Sequence, residues 1–379
     1  MKYSRFLSLL LAAVLLISLC SCTDGSAQGS PSQSEQPSQS TPPSQDIQPE
    51  QSAQPEQSAP PTQGPQPSDA PASTPSNAPA TRLVVLNGPT GIGAAKLLSD
   101  IDAGNAAGSY TYEIATANDE VAAMLTGPAP EADIAAMASN VALNLYNKTD
   151  GGVTVIALGT LGVLHILESG GGTEIQSMSD LAGKTILAPG QGANPEYALR
   201  YLLTRNGLDP DQDVTLEFYA DASEISAKLL TGQAQCAMLP VPAATAAILK
   251  SEGSVRAALD LTQEWDALGT GSRFIMTAVV VRTAFLSEHP EAVDQFLTEY
   301  AASNDYVNSN VENAAQLVAD HGLAPSAAIA QKAIPDCHLV CITGTDMQPA
   351  IDGYYSVLYQ ANPASVGGSL PDDAFYYVP

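Results

Sequence analysis

Cysteine is scarce in this sequence, which excludes a fold held together by a disulfide framework. Of the five cysteines in 379 residues, only Cys236, Cys337 and Cys341 lie beyond Cys22. Cys236 lies in an apolar stretch and is expected in the core. Cys337 and Cys341 are four residues apart in a stretch predicted to be extended, which places their Cα atoms about 13 Å apart. A bridge between them would therefore require a turn or a helix at that point.

Basic side chains are also few. The chain has 14 Lys and Arg against 40 Asp and Glu, and its formal net charge is −26. Such a balance repels phosphate groups, so nucleic acid and anionic membrane surfaces are excluded as partners. The many carboxylates are interpreted as a solvated surface, because none is paired with an obvious general acid.

Motifs of catalysis, metal binding and nucleotide binding are missing. The sequence has no Gly-x-Ser-x-Gly elbow and no His-Glu-x-x-His. Its four histidines are scattered and lack metal-ligand spacing. His165 lies in an apolar stretch, where a satisfied packing role is expected. Residues 88–96 resemble a nucleotide loop only superficially, because Lys96 is misplaced for a Walker A loop and replaces the third glycine of a dinucleotide fingerprint. We expect no metal and no cofactor.

The N-terminus has the pattern of an export signal. Lys2 and Arg5 precede an apolar run at residues 6–19, which is too short to span a bilayer. The run ends Leu19-Cys20-Ser21-Cys22, which resembles the signals of bacterial lipoproteins, with Cys22 as the lipidated residue. We expect residues 1–22 to be a signal peptide and Cys22 to carry a lipid anchor. The alternative is a plain secretory signal cut nearby.

Residues 23–81 are rich in Ser, Pro and Gln and have almost no large apolar side chains. Such a segment cannot bury a core, so we expect a disordered tether. The remaining residues, 82–379, have no second long apolar run and are too many for one small core. Their number is natural for two lobes.

A strand, a glycine-rich turn and a helix occur twice, about 100 residues apart. The first strand and turn are predicted at residues 82–87 and 88–93, and the second at 185–188 and 189–192. Asn194 is expected to cap the helix that follows the second turn. Later strands and helices follow in the same order in both halves, which indicates one duplicated unit. The predicted fold class is α/β, with two similar doubly wound lobes and a ligand cleft between them.

The turns after the strands supply the candidate site. A helix N-terminus presents unpaired backbone N–H groups and the positive end of a dipole, and glycine lets a ligand approach the backbone. In doubly wound folds ligands bind at the carboxyl ends of the strands. We therefore predict that turns from both lobes face one cleft. The residues expected to contact the ligand are Gly88, Thr90, Asn140, Thr160, Gln191, Asn194 and Pro240.

Six stretches carry a resemblance to a known family. They are Asn87-Gly-Pro-Thr-Gly-Ile-Gly, Asn144-Leu-Tyr-Asn-Lys-Thr, Gly159-Thr-Leu-Gly-Val-Leu, Asp180-Leu-Ala-Gly-Lys-Thr-Ile, Pro189-Gly-Gln-Gly-Ala-Asn-Pro-Glu-Tyr and Gly367-Gly-Ser-Leu-Pro-Asp-Asp. With the signal and the tether, they resemble the solute-binding lipoproteins of ABC importers. Within these they are similar to the nitrate/sulfonate/taurine and thiamine-precursor branch, which has the type II periplasmic-binding-protein fold.

The resemblance implies an architecture and a role. One lobe would comprise positions 82–165 and 272–379, and the other would comprise positions 166–271. A small solute would close the lobes by a hinge motion, and the protein would deliver it to a membrane permease. The protein would be a monomer on the outer face of the membrane of a bacterium with a Gram-positive envelope, held there by the lipid on Cys22.

One departure leaves the ligand open. Anion-binding members often use dedicated basic side chains, and the predicted cleft turns have none. A sulfonate, a carboxylate and a pyrimidine-like compound all remain candidates. Two other functions also stay open. One is a surface receptor without transport, and the other is an enzyme like the pyrimidine-precursor synthases, whose cysteine-rich motif and histidines this chain lacks.

Overall fold

The computed structural model describes residues 80–379. The expected signal peptide, Cys22 and all but the end of the expected tether lie outside this range. The described residues all belong to one compact unit. In the part of the chain that the structure describes, no helix is long and apolar enough to cross a membrane.

Within the described range, eleven strands form two sheets. In chain order the strands are β1 (Thr81–Leu86), β2 (Tyr110–Ala115), β3 (Ile134–Ala138), β4 (Val153–Leu161), β5 (Leu164–Ser169), β6 (Thr185–Pro189), β7 (Thr215–Tyr219), β8 (Cys236–Pro240), β9 (Val255–Asp260), β10 (Ile275–Arg282) and β11 (Leu339–Ile342). The first sheet has the order β11-β4-β10-β3-β1-β2, and the second β7-β6-β8-β5-β9.

Thirteen α-helices of the same part of the chain cover the sheets. They are α1 (Pro89–Ile92), α2 (Ala95–Asp102), α3 (Asn118–Thr126), α4 (Ser139–Lys148), α5 (Asn194–Arg205), α6 (Ala222–Leu230), α7 (Ala243–Lys250), α8 (Leu261–Ala267), α9 (Thr283–Glu288), α10 (Pro290–Ser309), α11 (Val311–Asp320), α12 (Ala327–Ala333) and α13 (Met347–Ala361).

Both faces of each sheet are buried, which explains the nearly continuous apolar runs of the strands. In β1, Val84 belongs to one hydrophobic cluster, whereas Leu83 and Val85 belong to another. In β6, Ile186 and Leu187 divide between two clusters in the same way. Successive side chains of a strand point to opposite faces, so each sheet has a packed layer on either side. The predicted α/β fold class is confirmed.

Each sheet combines parallel strands with antiparallel ones. In the first sheet β1 pairs parallel with β2 and β3, while β10 runs antiparallel between β3 and β4. In the second sheet β6 pairs parallel with β7 and β8, and β5 runs antiparallel to β8 and β9. The duplicated strand–helix order accounts for the parallel strands.

The chain crosses between the sheets twice. It first passes from β4 to β5 through Gly162 and Val163, and it returns from α8 to β10 through residues 268–274. Trp265 stacks on Phe274 at this return, with ring centroids 5.4 Å apart, and meets Tyr354 of α13 edge-on at 5.6 Å. The indole Nε1 donates to the carbonyl of Ser272 at 3.2 Å. The return crossover is therefore fixed by an aromatic cluster.

Candidate functional site

The carboxyl ends of the parallel strands of both sheets adjoin the first crossover. Ala138, which ends β3, lies opposite Thr277 near the start of β10. Pro240, which ends β8, lies opposite Leu164 at the start of β5. The N–H of Val241 donates to the carbonyl of Val163 at 2.9 Å and so joins the end of β8 to the crossover. We call the region where these two edges adjoin the crossover the cleft.

Among the helices of at least eight residues that follow strands ending at the cleft, three contain or adjoin residues of the predicted site. They are α4 after β3, α5 after β6, and α7 after β8. None of the three has a side-chain cap at its first turn. Their first backbone N–H groups are therefore not capped by a side chain of the described range, as the sequence predicted for a donor site.

The predicted cap role of Asn194 is wrong. Ala193 occupies the cap position, and Asn194 is the first residue of α5. The residue is only 5% exposed, and its Oδ1 has no hydrogen-bond partner among residues 80–379. An unpaired buried acceptor is costly, so this amide is the kind of group that a bound molecule satisfies.

One backbone donor of the second glycine turn is already bonded to the helix that follows it. The N–H of Gly192 donates to Glu196 Oε2 at 2.7 Å, so one donor of the turn is already used. Gly190 and Gly192 both have positive φ, which only glycine adopts readily. Gln191, between them, is exposed.

The first glycine turn differs from the prediction. Residues 89–92 form the four-residue helix α1, too short for a developed helix terminus. A Cβ on Gly91 would lie 2.7 Å from Leu323 Cδ2, and one on Gly93 would lie 2.6 Å from Asn304 Oδ1. These two glycines therefore permit close packing. Gly88 has φ 84° and open space where a Cβ would point, so it alone of the three leaves room for a ligand.

Thr90 and Thr160 are brought together by Thr277, a residue that the sequence did not indicate. The hydroxyls of Thr277 and Thr90 are 3.3 Å apart, and Thr277 is the Cα partner of Thr160 across the strands. β4 extends through Thr160, because β10 and β11 both pair there. Its Oγ1 is buried and has no partner in the described part of the chain. The only early signal for Thr277 was a hydroxyl in an otherwise apolar strand.

The segment after α13 contacts Asn140 directly and the second glycine turn through Tyr197. Asn362 Nδ2 donates to the hydroxyl of Tyr197 at 2.9 Å, and this hydroxyl donates to the carbonyl of Gly192 at 2.8 Å. Asn140 Nδ2 donates to the carbonyl of Ser365 at 3.4 Å. Asn140 lies in the first turn of α4, which begins at Ser139.

Most basic side chains in residues 80–379 are already paired with carboxylates. Eight of the twelve pair with carboxylates: Arg82, Lys96, Lys184, Arg200, Lys228, Arg256, Arg273 and Arg282. The other four lie in the last turns of helices: Lys148, Arg205, Lys250 and Lys332. Three of these helices are α4, α5 and α7, so their cations lie roughly 10–17 Å from the cleft.

The charged groups beside the first crossover are acids and histidines. Asp260, the last residue of β9, faces His165 across the strand pair and lies 3.2 Å from Nε2 of His338. Burial alone would raise the pKa of Asp260, but hydrogen bonding to His338 and its charge outweigh it and lower this pKa to about 2. His165 is buried as expected, yet its Nδ1 has no partner among the described residues, so the predicted satisfied packing role is wrong.

The three cysteines of the described range are free thiols. Cys236 is buried in β8, which confirms its predicted place in the core. Burial raises the pKa of Cys236 and of Cys337 to about 12. A groove of about 890 Å³ lies beside Cys236, at the edge of the second sheet opposite the cleft. It shares no residue with the predicted site, which stands on the strand ends and the helix starts.

Solved structures with the same fold define the class. An ABC transporter structure from Parabacteroides distasonis has a TM-score of 0.65 and 25% identity, over 79% of this chain and 98% of that chain. The periplasmic aliphatic sulphonate binding protein SsuA from Escherichia coli gives 0.60 and 14%, over 77% and 92%. The alkanesulfonate-binding protein SsuA from Xanthomonas axonopodis pv. citri, bound to MOPS, gives 0.53 and 15%, over 77% and 94%. The fold is that of the periplasmic binding proteins.

The family follows from the sequence match. The model of the NMT1/THI5-like family matches residues 118–314, just over half of the chain. The chain belongs to this family, which confirms the predicted branch. The matched part contains Asn140, Thr160, Gln191, Asn194 and Pro240 of the predicted site. No curated protein matches the chain by sequence.

Proposed function

We propose that this protein is the extracytoplasmic solute-binding component of an ABC importer. It captures a small organic solute in the cleft and delivers it to a membrane permease. Family membership and the fold shared with binding proteins of importers support this role. The observation that carries the proposal is a pair of buried polar atoms at the cleft that lack partners in the described range. They are Thr160 Oγ1 in β4 of the first sheet and Asn194 Oδ1 in α5, the helix that follows β6 of the second sheet.

The solute is held by neutral groups. Backbone N–H groups at three helix starts, hydroxyls and amides adjoin the cleft, and eight of the twelve basic side chains of the described range are paired with carboxylates. A helix start contributes about half a unit of positive charge, which suits a polar or weakly acidic solute better than a strong anion without a counter-ion. The negative charge of Asp260 beside the first crossover also disfavours a strong anion. The cleft binds and releases without making or breaking bonds.

The site is accessible to an external solute if the chain is anchored outside the cell. We infer this location from the signal pattern and from Cys22, which would carry the lipid. A lipid anchor of this kind would place a monomer beside its permease on the extracytoplasmic face of the membrane.

Binding is tested by calorimetry after a thermal-shift screen. The probes are ethanesulfonate, MOPS, small carboxylates and pyrimidine bases, because a cleft ligand raises Tm increasingly as its concentration exceeds Kd. For a compound that stabilises the protein, Asn194→Ala and Asn140→Ala should each weaken binding about tenfold, since each removes one hydrogen-bonding group.

The control is Thr204→Ala in the last turn of α5, where the side chain is exposed and bonds only the carbonyl of Arg200. This variant should bind like the parent. If both asparagine variants keep the parent affinity for the stabilising compound, the cleft is not the binding site.

A further inference from the structure

One histidine joins the two sheets. His338 immediately precedes β11 of the first sheet, and the N–H of Leu161 in β4 donates to its carbonyl at 3.2 Å. Its Nε2 lies 3.2 Å from Oδ2 of Asp260, which ends β9 of the second sheet. Its Nδ1 lies 2.9 Å from the carbonyl oxygen of Gly162, in the first crossover. One imidazole ring therefore contacts both sheets and the segment that connects them.

The contacts at Gly162 leave little freedom. Its carbonyl accepts from Thr262 Oγ1 of α8 at 2.8 Å as well as from His338. The Gly162 oxygen thus has one partner beside the first sheet, His338, and one beside the second sheet, Thr262. Asp260 is fixed in turn, because its Oδ1 accepts from the N–H of Thr262 at 2.8 Å and its Oδ2 from Gln263 at 3.0 Å.

Both partners of the ring are acceptors. A neutral imidazole has one N–H donor, whereas the imidazolium has two. Only the protonated ring can donate to the Gly162 carbonyl and to the Asp260 carboxylate at once. Loss of the proton removes one of the two contacts.

We propose that His338 is a proton-operated latch between the two sheets. With the ring charged, the start of β11, the first crossover and the end of β9 are tied together. With the ring neutral, either the crossover or β9 is released. The latch needs no ligand, so it is independent of the proposed function, although it would set how readily the cleft opens.

Four ionisable groups surround the latch. Asp260 and Glu264 approach from the second sheet and α8, His165 from β5, and Asp336 from the turn before His338. Burial, then the charge of Asp260, raises the pKa of Glu264.

The direction of the pH effect follows from the shifted pKa of His338 in its pair with Asp260. The hydrogen bond to Asp260 raises the pKa of His338, against the opposing effect of burial, and the Gly162 carbonyl and Asp336 raise it further. The tie is therefore complete below the ordinary histidine pKa of about 6.5 and is lost as pH rises through the higher folded value. Asp260, with its pKa of about 2, stays charged over this range.

Amide hydrogen exchange of the full chain tests the latch. The reporters are the N–H of Leu161, which donates to the carbonyl of His338, and the N–H of Val241, which donates to the carbonyl of Val163 in the first crossover. After correction for intrinsic rates, protection of these amides should fall roughly fivefold between about pH 6 and pH 8.5. His338→Gln and Asp260→Asn should both abolish the change. In His338→Gln, protection should equal the high-pH value of the parent at both pH values.

The matched control is His321→Gln. His321 makes the same two kinds of contact, Nδ1 to the carbonyl of Leu317 at 2.8 Å and Nε2 to Asp102 at 3.2 Å, but all on helices beside the first sheet. This variant should keep the pH dependence at the crossover. Equal protection of the parent amides at both pH values would overturn the latch. So would a pH effect that survives in His338→Gln or disappears in His321→Gln.

Discussion

Gly162 is the residue whose backbone has least room for a side chain at the crossover. A Cβ there would overlap Cδ1 of Phe274 and lie 2.5 Å from Oγ1 of Thr262. Phe274 is fully buried and cannot swing away. We expect Gly162→Ala to lower the free energy of unfolding by about 1–3 kcal/mol, the range for overpacked sites. Denaturation in urea measures this change.

A double-mutant cycle identifies the cause. Phe274→Leu removes the ring edge that the new methyl group would meet. If the clash is responsible, Gly162→Ala should cost less in the Phe274→Leu background, with a coupling on the order of 1 kcal/mol. Strictly additive costs would show that the ring is not the obstacle.

At the residue scale, the sequence predicted where helices start better than it predicted the role of each side chain. Asn194 was placed correctly at a helix start, but a shift of one position turned a cap into a buried amide whose oxygen lacks a partner in the described range. Cap assignment depends on the dihedral angles of Ala193, which the pattern of residue types does not fix. Thr277 was missed because its partner Thr90 is 187 residues away.

Three strands of the first sheet are tied together at the end opposite the cleft. Asp133, 3% exposed before β3, accepts from Arg82 of β1 and Arg282 of β10, each with Nη2 at 2.6 Å from Oδ1. Asp133→Asn should lower the free energy of unfolding at neutral pH by about 3 kcal/mol, because two partly buried guanidinium groups lose their counter-charge. Chemical denaturation provides the measurement.

The Asp133 prediction can be checked by measuring unfolding at acid pH and by a control substitution in a surface ion pair. Burial alone would raise the pKa of Asp133, but hydrogen bonds from Arg82 and Arg282 outweigh it and lower this pKa. Its contribution is present above the unfolded pKa of about 3.9 and is lost as pH falls through the lower folded value, so the two proteins should converge in acid. Asp211→Asn removes the exposed pair with Arg200 and should cost less than about 0.5 kcal/mol. Similar costs for both variants at neutral pH would contradict the argument.

At the element scale, the repeated strand–turn–helix pattern predicted the parallel strands, because that order is a local property of the chain. The role of the first glycine turn, in contrast, depends on residues that are distant in sequence. Gly91 and Gly93 meet Leu323 and Asn304, which belong to the last third of the chain. The pattern shows that small residues are needed there, but distant packing decides whether they serve a ligand or a neighbouring helix.

For the whole molecule, the proposed location depends on Cys22, which lies outside the described residues. Cys22→Ser should release the protein into the medium, because a secreted chain without its lipid has nothing to retain it. Cys20→Ser should leave it in the membrane fraction, since Leu19 before Cys20 does not fit the lipidation pattern. Immunoblots of cell and medium fractions measure both. Retention of the Cys22 variant would exclude lipid anchoring there.

The two-sheet organisation was predictable, while the exact boundaries of the lobes stay a prediction. The duplication predicts two units, but it says nothing about α13, which packs its Tyr354 against the return crossover. The contacts of the segment after α13 with Tyr197 and Asn140 were equally hidden, because they join parts of the chain that are distant in sequence.

The strand order also has a consequence for biosynthesis. All strands of the second sheet come from one continuous stretch, Leu164 to Asp260, whereas β10 inserts between β3 and β4 of the first sheet. While the chain emerges from the ribosome, β3 and β4 therefore have open, apolar edges until the whole second sheet has been made and β10 follows it. Unpaired strand edges of this kind promote aggregation of nascent chains. The first sheet is thus the part of this protein that most needs a chaperone during synthesis.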